Sequence, residues 1–410
     1  MKKDSLAALI GIVALAGAAG AAERPQGFRF LDNHLVFQPY LSFFYTYDSN
    51  IDTARHSVDD SIFSIEPGTT VSWIGDRWAL DGSLWYRHQS YAKYNDCLGE
   101  DSYGESLRLK YTSSGADEKG WSALVGERFS QMSQADDINS RGGRGIWRDR
   151  EQMDATGGFE YRFSPRFHVD AQGQYSRLNY QNNAHKYVPL HGWDQYSAGL
   201  EAGYAFTRWT DVLLAGGYSH YKQDGGRVGD NTYSDRSESY TVQAGLGSRA
   251  TERISYRALT GISWLDYGGE SNADCGWTYS LSGDWRATRQ LKFSIVGSSY
   301  YQPSERNIGQ AVKVYSLGVG ASYLTMGDRL TLTANLLYRL DKTAYSDHYY
   351  SKRSDYDETV LSARLGADYL VNQYMSVFAN VYWEEEWCDN SNSDYDYDRF
   401  RGTVGVRLHY

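Results

Sequence analysis

From about residue 39 onward, hydrophobic and polar residues alternate along the chain in long runs. Phe167, Val169, Ala171, Gly173 and Tyr175 interleave with His168, Asp170, Gln172, Gln174 and Ser176. Trp277, Tyr279, Leu281, Gly283 and Trp285 interleave with Thr278, Ser280, Ser282, Asp284 and Arg286. Leu330 to Asp341 and Glu358 to Val371 repeat the pattern, as do the closing residues Phe400 to Tyr410. A period of two is the side-chain period of a β-strand, so each run predicts a strand with one apolar and one polar face. The runs last about ten residues or more, the length of a tilted strand crossing a bilayer, whereas strands of a soluble sandwich are nearer five or six.

The connections alternate as well. Short turns are expected at Gly75-Asp76, Ser164-Pro165-Arg166, Thr207-Arg208-Trp209, Thr251-Glu252-Arg253, Ala287 to Gln290, Met326 to Arg329 and Val371 to Tyr374. Between them lie longer polar stretches such as Asn50 to Asp60, Met132 to Arg150, Tyr180 to Trp193 and Ala344 to Tyr356. Two long strands per repeat fit a barrel better than a propeller, whose blades hold four shorter ones. The pattern predicts an all-β fold: a transmembrane, antiparallel, up-and-down β-barrel of about 18 strands, or 16 if Trp121 to Phe129 is not a strand. In a bilayer every backbone polar group must pair inside the protein, and a closed sheet achieves this.

Composition supports that reading. Hydrophobic residues make up 41% of the 410 residues, and the mean hydropathy is -0.60. That is too polar for a bundle of membrane helices, and beyond the N-terminus no stretch approaches the length of a spanning helix. The chain nonetheless carries 36 Tyr and 12 Trp, as expected of interfacial aromatic girdles. Residues 1–22 read as a secretory signal peptide: Met1-Lys2-Lys3, an apolar core from Leu6, and small residues before Glu23. Residues 23–37 are expected to be a short periplasmic lead-in and 38–410 the barrel. The expected location is the outer membrane of a Gram-negative-type bacterium.

Two resemblances carry the reading further. Thr403-x-Gly405-x-x-Leu408-x-Tyr410 resembles the C-terminal signal by which outer-membrane barrels are recognised for assembly. Pro39-Tyr40-Leu41-Ser42, followed by Tyr45-Thr46-Tyr47-Asp48-Ser49-Asn50-Ile51, resembles the opening strand of the β-barrel porins of type 2. The second resemblance implies an outer-membrane channel and, since several members are associated with exopolysaccharide production, carbohydrate export.

Candidate pore-lining charges are Asp81, Arg87, Glu160, Arg162, Asp170, Asp284, Arg286, Arg339, Arg364, Arg401 and Arg407, all on the polar faces of predicted strands. They would act as selectivity charges in a wet lumen or as salt bridges that stiffen the wall. The formal net charge of -10 resides largely in the loops, notably Asp389 to Asp398, which reads as a solvated acidic loop. The basic loop Arg141 to Arg150 could enter the pore or touch lipopolysaccharide. No catalytic motif, metal site or cofactor is read from the sequence, and nucleic acid is not an expected partner. Cys97, Cys275 and Cys388 leave open whether any two pair. The expected partners are outer-membrane lipid and lipopolysaccharide, the barrel-assembly machinery and a saccharide cargo. The expected function is an outer-membrane channel for passive diffusion or export, with oligosaccharide or exopolysaccharide as the favoured cargo. The alternatives are a structural or adhesive barrel, or an outer-membrane hydrolase assembled from separate strands.

Overall fold

The computed structural model describes residues 27–32, 34–51, 57–93, 101–113, 119–132, 150–180, 192–223, 236–248, 253–266, 274–303, 310–346, 357–389 and 396–410. Nineteen strands form among them. They are β1 (Phe28–Phe30), β2 (Leu35–Asp48), β3 (Asp60–Ile74), β4 (Trp78–Tyr91), β5 (Asp101–Thr112), β6 (Gly120–Met132) and β7 (Arg150–Ser164). Next come β8 (Phe167–Tyr180), β9 (Trp193–Ala205), β10 (Thr210–Gln223), β11 (Arg236–Ser248), β12 (Ile254–Asp266) and β13 (Asp274–Arg286). The last are β14 (Leu291–Pro303), β15 (Gln310–Thr325), β16 (Leu330–Ser346), β17 (Glu358–Asn372), β18 (Met375–Cys388) and β19 (Tyr397–His409).

From β2 to β19 each strand pairs antiparallel with the next, and β19 pairs back onto β2, from Arg401 opposite Asp48 to His409 opposite Tyr40. The sheet thus closes into an 18-stranded barrel with no free edge along the seam. Trp121 to Phe129 lies inside β6, which settles the strand count at the higher expectation.

The first barrel strand begins three residues earlier than expected, at Leu35. Those extra residues run past the end of β19, and the short β1 covers them, Phe28 opposite Phe37 and Phe30 opposite Leu35. The lead-in therefore contributes a strand that sequence reading did not foresee. A three-residue strand is too short to show a period.

Alternation sorts side chains inside out relative to a soluble protein. Leu84, Val125, Leu200, Leu214, Leu365 and Val404 are all more than half exposed on the outer surface. A soluble monomer does not leave a belt of this extent facing water. The buried apolar clusters are small, such as Ile51 with Ile62 and Tyr91. Aromatic residues ring the belt at two levels. Toward the short-turn end Tyr111 lies 4.5 Å from Trp78 and 4.7 Å from Trp121, centroid to centroid. Toward the long-loop end Tyr175 meets Tyr196 at 5.0 Å and Tyr218 meets Tyr240 at 5.2 Å. Two such rows are what a membrane with two interfaces selects.

Connections at one end span two to seven residues, and at the other six to seventeen. The short turns are built from local hydrogen bonds. Thr207 Oγ1 accepts from the backbone of Trp209 and Thr210, and Thr288 Oγ1 from Gln290 and Leu291. The turn from β15 to β16 places Met326, Gly327 and Asp328 at positive φ, a conformation that costs glycine nothing. Short turns on the periplasmic side and long loops outside give the barrel its orientation. The expected signal peptide at residues 1–22, Cys97, the basic loop from Arg141 to Asp149 and the acidic loop from Asn390 to Tyr395 lie outside the described residues.

Candidate functional site

The inner wall is polar from end to end, but it is not uniform. Toward the long-loop end its side chains are buried: Asp48, Asp60, Asp154, Gln195, Ser263, Glu384, Glu386 and Arg399 are each at most 3% exposed. Toward the short-turn end Thr70, Asp81, Arg108, Lys110, Gln172 and Arg286 are exposed. The lumen is therefore packed near the outer mouth and open toward the periplasm.

Most of the inward charges read from the sequence are paired. Arg87 donates to Glu66 at 2.6 Å, Arg162 to Glu160 at 2.8 Å, and Lys292 reaches Asp284 at 3.0 Å. Asp170 has His168 at 3.5 Å. Arg339, nearly buried, is held by Asp341 two residues along its own strand, through Nε at 2.6 Å and a terminal nitrogen at 2.9 Å. It belongs to the structural wall more than to an ionic path. Asp81 stands opposite Arg108 in register. Arg257 bridges three strands to Glu201. Arg407 donates to Ser42 at 3.0 Å and lies over the rings of Tyr40 and Phe378. Two arginines of the set, Arg286 and Arg364, make no side-chain ion pair or hydrogen bond among the described residues. Arg286 is exposed at the open, short-turn end. Arg364 lies deeper in the wall, with its guanidinium 5.4 Å above the Tyr382 ring.

The closing seam carries the densest polar contacts. Asp48, fully buried, accepts from Arg399 Nε at 3.0 Å and from a terminal nitrogen at 2.6 Å, and from Arg401 Nε at 2.9 Å. The Asn50 backbone donates to Asp48 at 3.1 Å, and the Asn50 amide donates to the Asp398 carbonyl at 2.9 Å. Ser49 and Phe400 exchange backbone and side-chain hydrogen bonds, and Thr46 meets Thr403 at 2.9 Å. Ile51 then buries against Ile62 and Tyr91. The Tyr-Asp-x-Asn-hydrophobic stretch noted in the sequence is thus the part of the first strand that fastens it to the last.

Below this seam a cavity of about 230 Å³ opens in the wall between β2, β3, β4, β17, β18 and β19. Arg87, Arg364 and Arg401 line it together with Phe44, Tyr382 and several neutral polar side chains, and no carboxylate does. Near the outer mouth, Glu358, Glu386 and Cys388 bring their donor atoms within 4.8 Å of one another, a grouping that strand register alone creates and the sequence reading missed. Cys275 is an exposed free thiol.

A family model described as outer membrane protein beta-barrel domain matches residues 129–282. This is a β-barrel of the Gram-negative outer membrane. Among solved structures, the outer membrane protein opdK from Pseudomonas aeruginosa is similar at 13% identity and a TM-score of 0.46, covering 93% of this chain and 100% of that one. The FrpB iron transporter from Neisseria meningitidis is similar at 9% identity and a TM-score of 0.46, covering 93% and 82%. At these scores the likeness carries no weight on cargo. No curated protein matches the chain.

The barrel places the terminal motif on both of its surfaces. Leu408 and Tyr410 face outward and are exposed, and the Tyr410 ring stacks on Phe28 with centroids 4.4 Å apart. Thr403 points inward to Thr46. Gly405 lies where Phe44 and Phe378 approach from neighbouring strands, and a Cβ there would come within 2.6 Å of both. Glu105 and Glu127 interrupt the apolar belt, exposed on the outer surface opposite Phe129 and Leu107 respectively.

Proposed function

We propose that the barrel is a passive channel for diffusion or export, with oligosaccharide or exopolysaccharide as its cargo. The observation that carries this is a polar inner wall inside an 18-stranded ring. Side chains fill an eight-stranded barrel, whereas sixteen to eighteen strands enclose an aqueous lumen. The resemblance of Pro39 to Ile51 to the type 2 porins favours a carbohydrate over an inorganic ion. Tyrosines and neutral polar groups on the wall offer stacking and hydrogen bonding to sugars.

Planar-bilayer recording of the purified full chain tests the channel, and liposome uptake of oligosaccharides tests the cargo. The packing of the outer half makes small unitary conductance steps the expected result. A refolded barrel that stays sealed under all voltages and salts would overturn the reading. It would favour a structural or adhesive barrel, or a hydrolase whose turnover is lost on mutating a single serine or histidine.

A further inference from the structure

The cavity below the seam has two polar groups that the fold does not use. Arg364 and Asn380, diagonal neighbours on β17 and β18, both line it, and the side chain of neither makes a hydrogen bond or ion pair among the described residues. Every other arginine at the cavity is engaged. Arg87 is bound to Glu66, and Arg401 shares Asp48 with Arg399.

We propose that this cavity binds the carboxylate of a single acidic sugar residue, with Arg364 as its anion ligand and Asn380 as a hydroxyl partner. The proposal rests on the channel reading and names the class of cargo group the wall selects.

Three features define the ligand. The first is charge. Three guanidiniums line the cavity, those of Arg87, Arg364 and Arg401. Glu66 holds Arg87 and Asp48 holds Arg401, and no carboxylate lines the cavity to meet Arg364. One positive charge is left over, which suits a monoanion better than a phosphomonoester carrying close to two charges.

The second is geometry. A guanidinium over a ring face gives up none of its N–H donors to the ring. The Arg364 guanidinium lies over Tyr382, 5.4 Å from the ring centroid, and the Tyr382 hydroxyl is committed to Glu384. A fork of parallel N–H donors matches the two oxygens of a carboxylate.

The third is size. Sites for drug-sized ligands run from about 300 to 1,000 Å³, so a cavity of about 230 Å³ fits one sugar ring and not an extended chain. A polymer would pass the site one residue at a time. The threonine-lined side of the cavity, where Thr46 and Thr403 meet, supplies further hydroxyl contacts.

Glucuronate, glucose and inorganic phosphate serve as probes on the full chain in detergent micelles, by calorimetry, and on the same preparation in a planar bilayer, by current block. Glucuronate is expected to bind in preference to both others. Arg364→Ala should weaken it by about ten- to a hundredfold, the worth of charge-assisted hydrogen bonds. Arg364→Lys should recover only part of that loss, and Asn380→Ala provides a second variant should Arg364→Ala fail to fold. Arg177→Ala removes the same charge from the outer surface and should leave affinity unchanged.

Equal binding of glucose would overturn the site, and equal binding of phosphate would overturn the carboxylate assignment. Conductance without glucuronate preference would refute this inference and leave the channel standing. Binding without conductance would leave the site standing and refute the channel.

Discussion

Replacing Asp48 by asparagine tests how the barrel closes. Asp48 is fully buried and Arg399 is 1% exposed, so neither can turn to water when the other is lost. Asparagine keeps the volume and one accepting oxygen but removes the charge that balances Arg399. Breaking one partner of a buried pair costs about 3–5 kcal/mol, and the retained oxygen places Asp48→Asn near about 3 kcal/mol. Arg401, at 12% exposure, can rotate toward the open lumen and adds little to the loss. Arg399→Leu with Asp48→Asn removes the stranded charge, so the double variant should be more stable than Asp48→Asn alone, with a coupling of about 2 kcal/mol. Urea titration of the refolded barrel in micelles, read by tryptophan fluorescence and by heat-modifiable mobility, measures all three. A loss below about 1 kcal/mol for Asp48→Asn, with additive effects in the cycle, would show that the backbone pairing of β2 with β19 closes the barrel unaided.

Gly405→Val should lower the folded fraction, because a Cβ already comes within 2.6 Å of Phe44 and Phe378, and overpacking of this kind costs about 1–3 kcal/mol; wild-type heat-modifiable mobility at wild-type yield would contradict it. Tyr410→Asp should reduce outer-membrane levels by placing a charge at the membrane boundary and removing the stack on Phe28, as read by immunoblot of fractionated membranes. Glu127→Leu should stabilise the barrel by about 1–2 kcal/mol in urea, since an acidic side chain on the lipid face is unfavourable; a neutral or negative change would place Glu127 against a polar partner instead. Arg339→Gln should destabilise the barrel by about 3 kcal/mol in urea because it strands the buried Asp341 carboxylate, whereas Arg364→Gln strands no partner and should leave stability nearly unchanged while shifting bilayer selectivity toward cations; equal stability losses would refute that distinction.

The sequence alone determined what depends on local geometry. Side chains alternate along any extended strand, so Val169, Leu281 and Val404 could be assigned to lipid, and Arg87, Arg364 and Arg401 to the interior, without knowing any neighbour. Connection lengths likewise set the two ends of the barrel. Partners were a different matter. Which inward charges meet depends on the stagger between strands, and a shift of one step in register exchanges every neighbour. Asp48 and Arg399 are 351 residues apart, and no local pattern links them. Arg257 finds Glu201 three strands away, whereas Arg364, identical to its neighbours in pattern, finds no carboxylate among the described residues and lies over Tyr382 instead. The tertiary structure alone therefore decided which arginines hold the wall together and which stay unpaired in the lumen. Ring closure fixes every strand's register at once, and only after closure do charges from opposite ends of the chain share a surface.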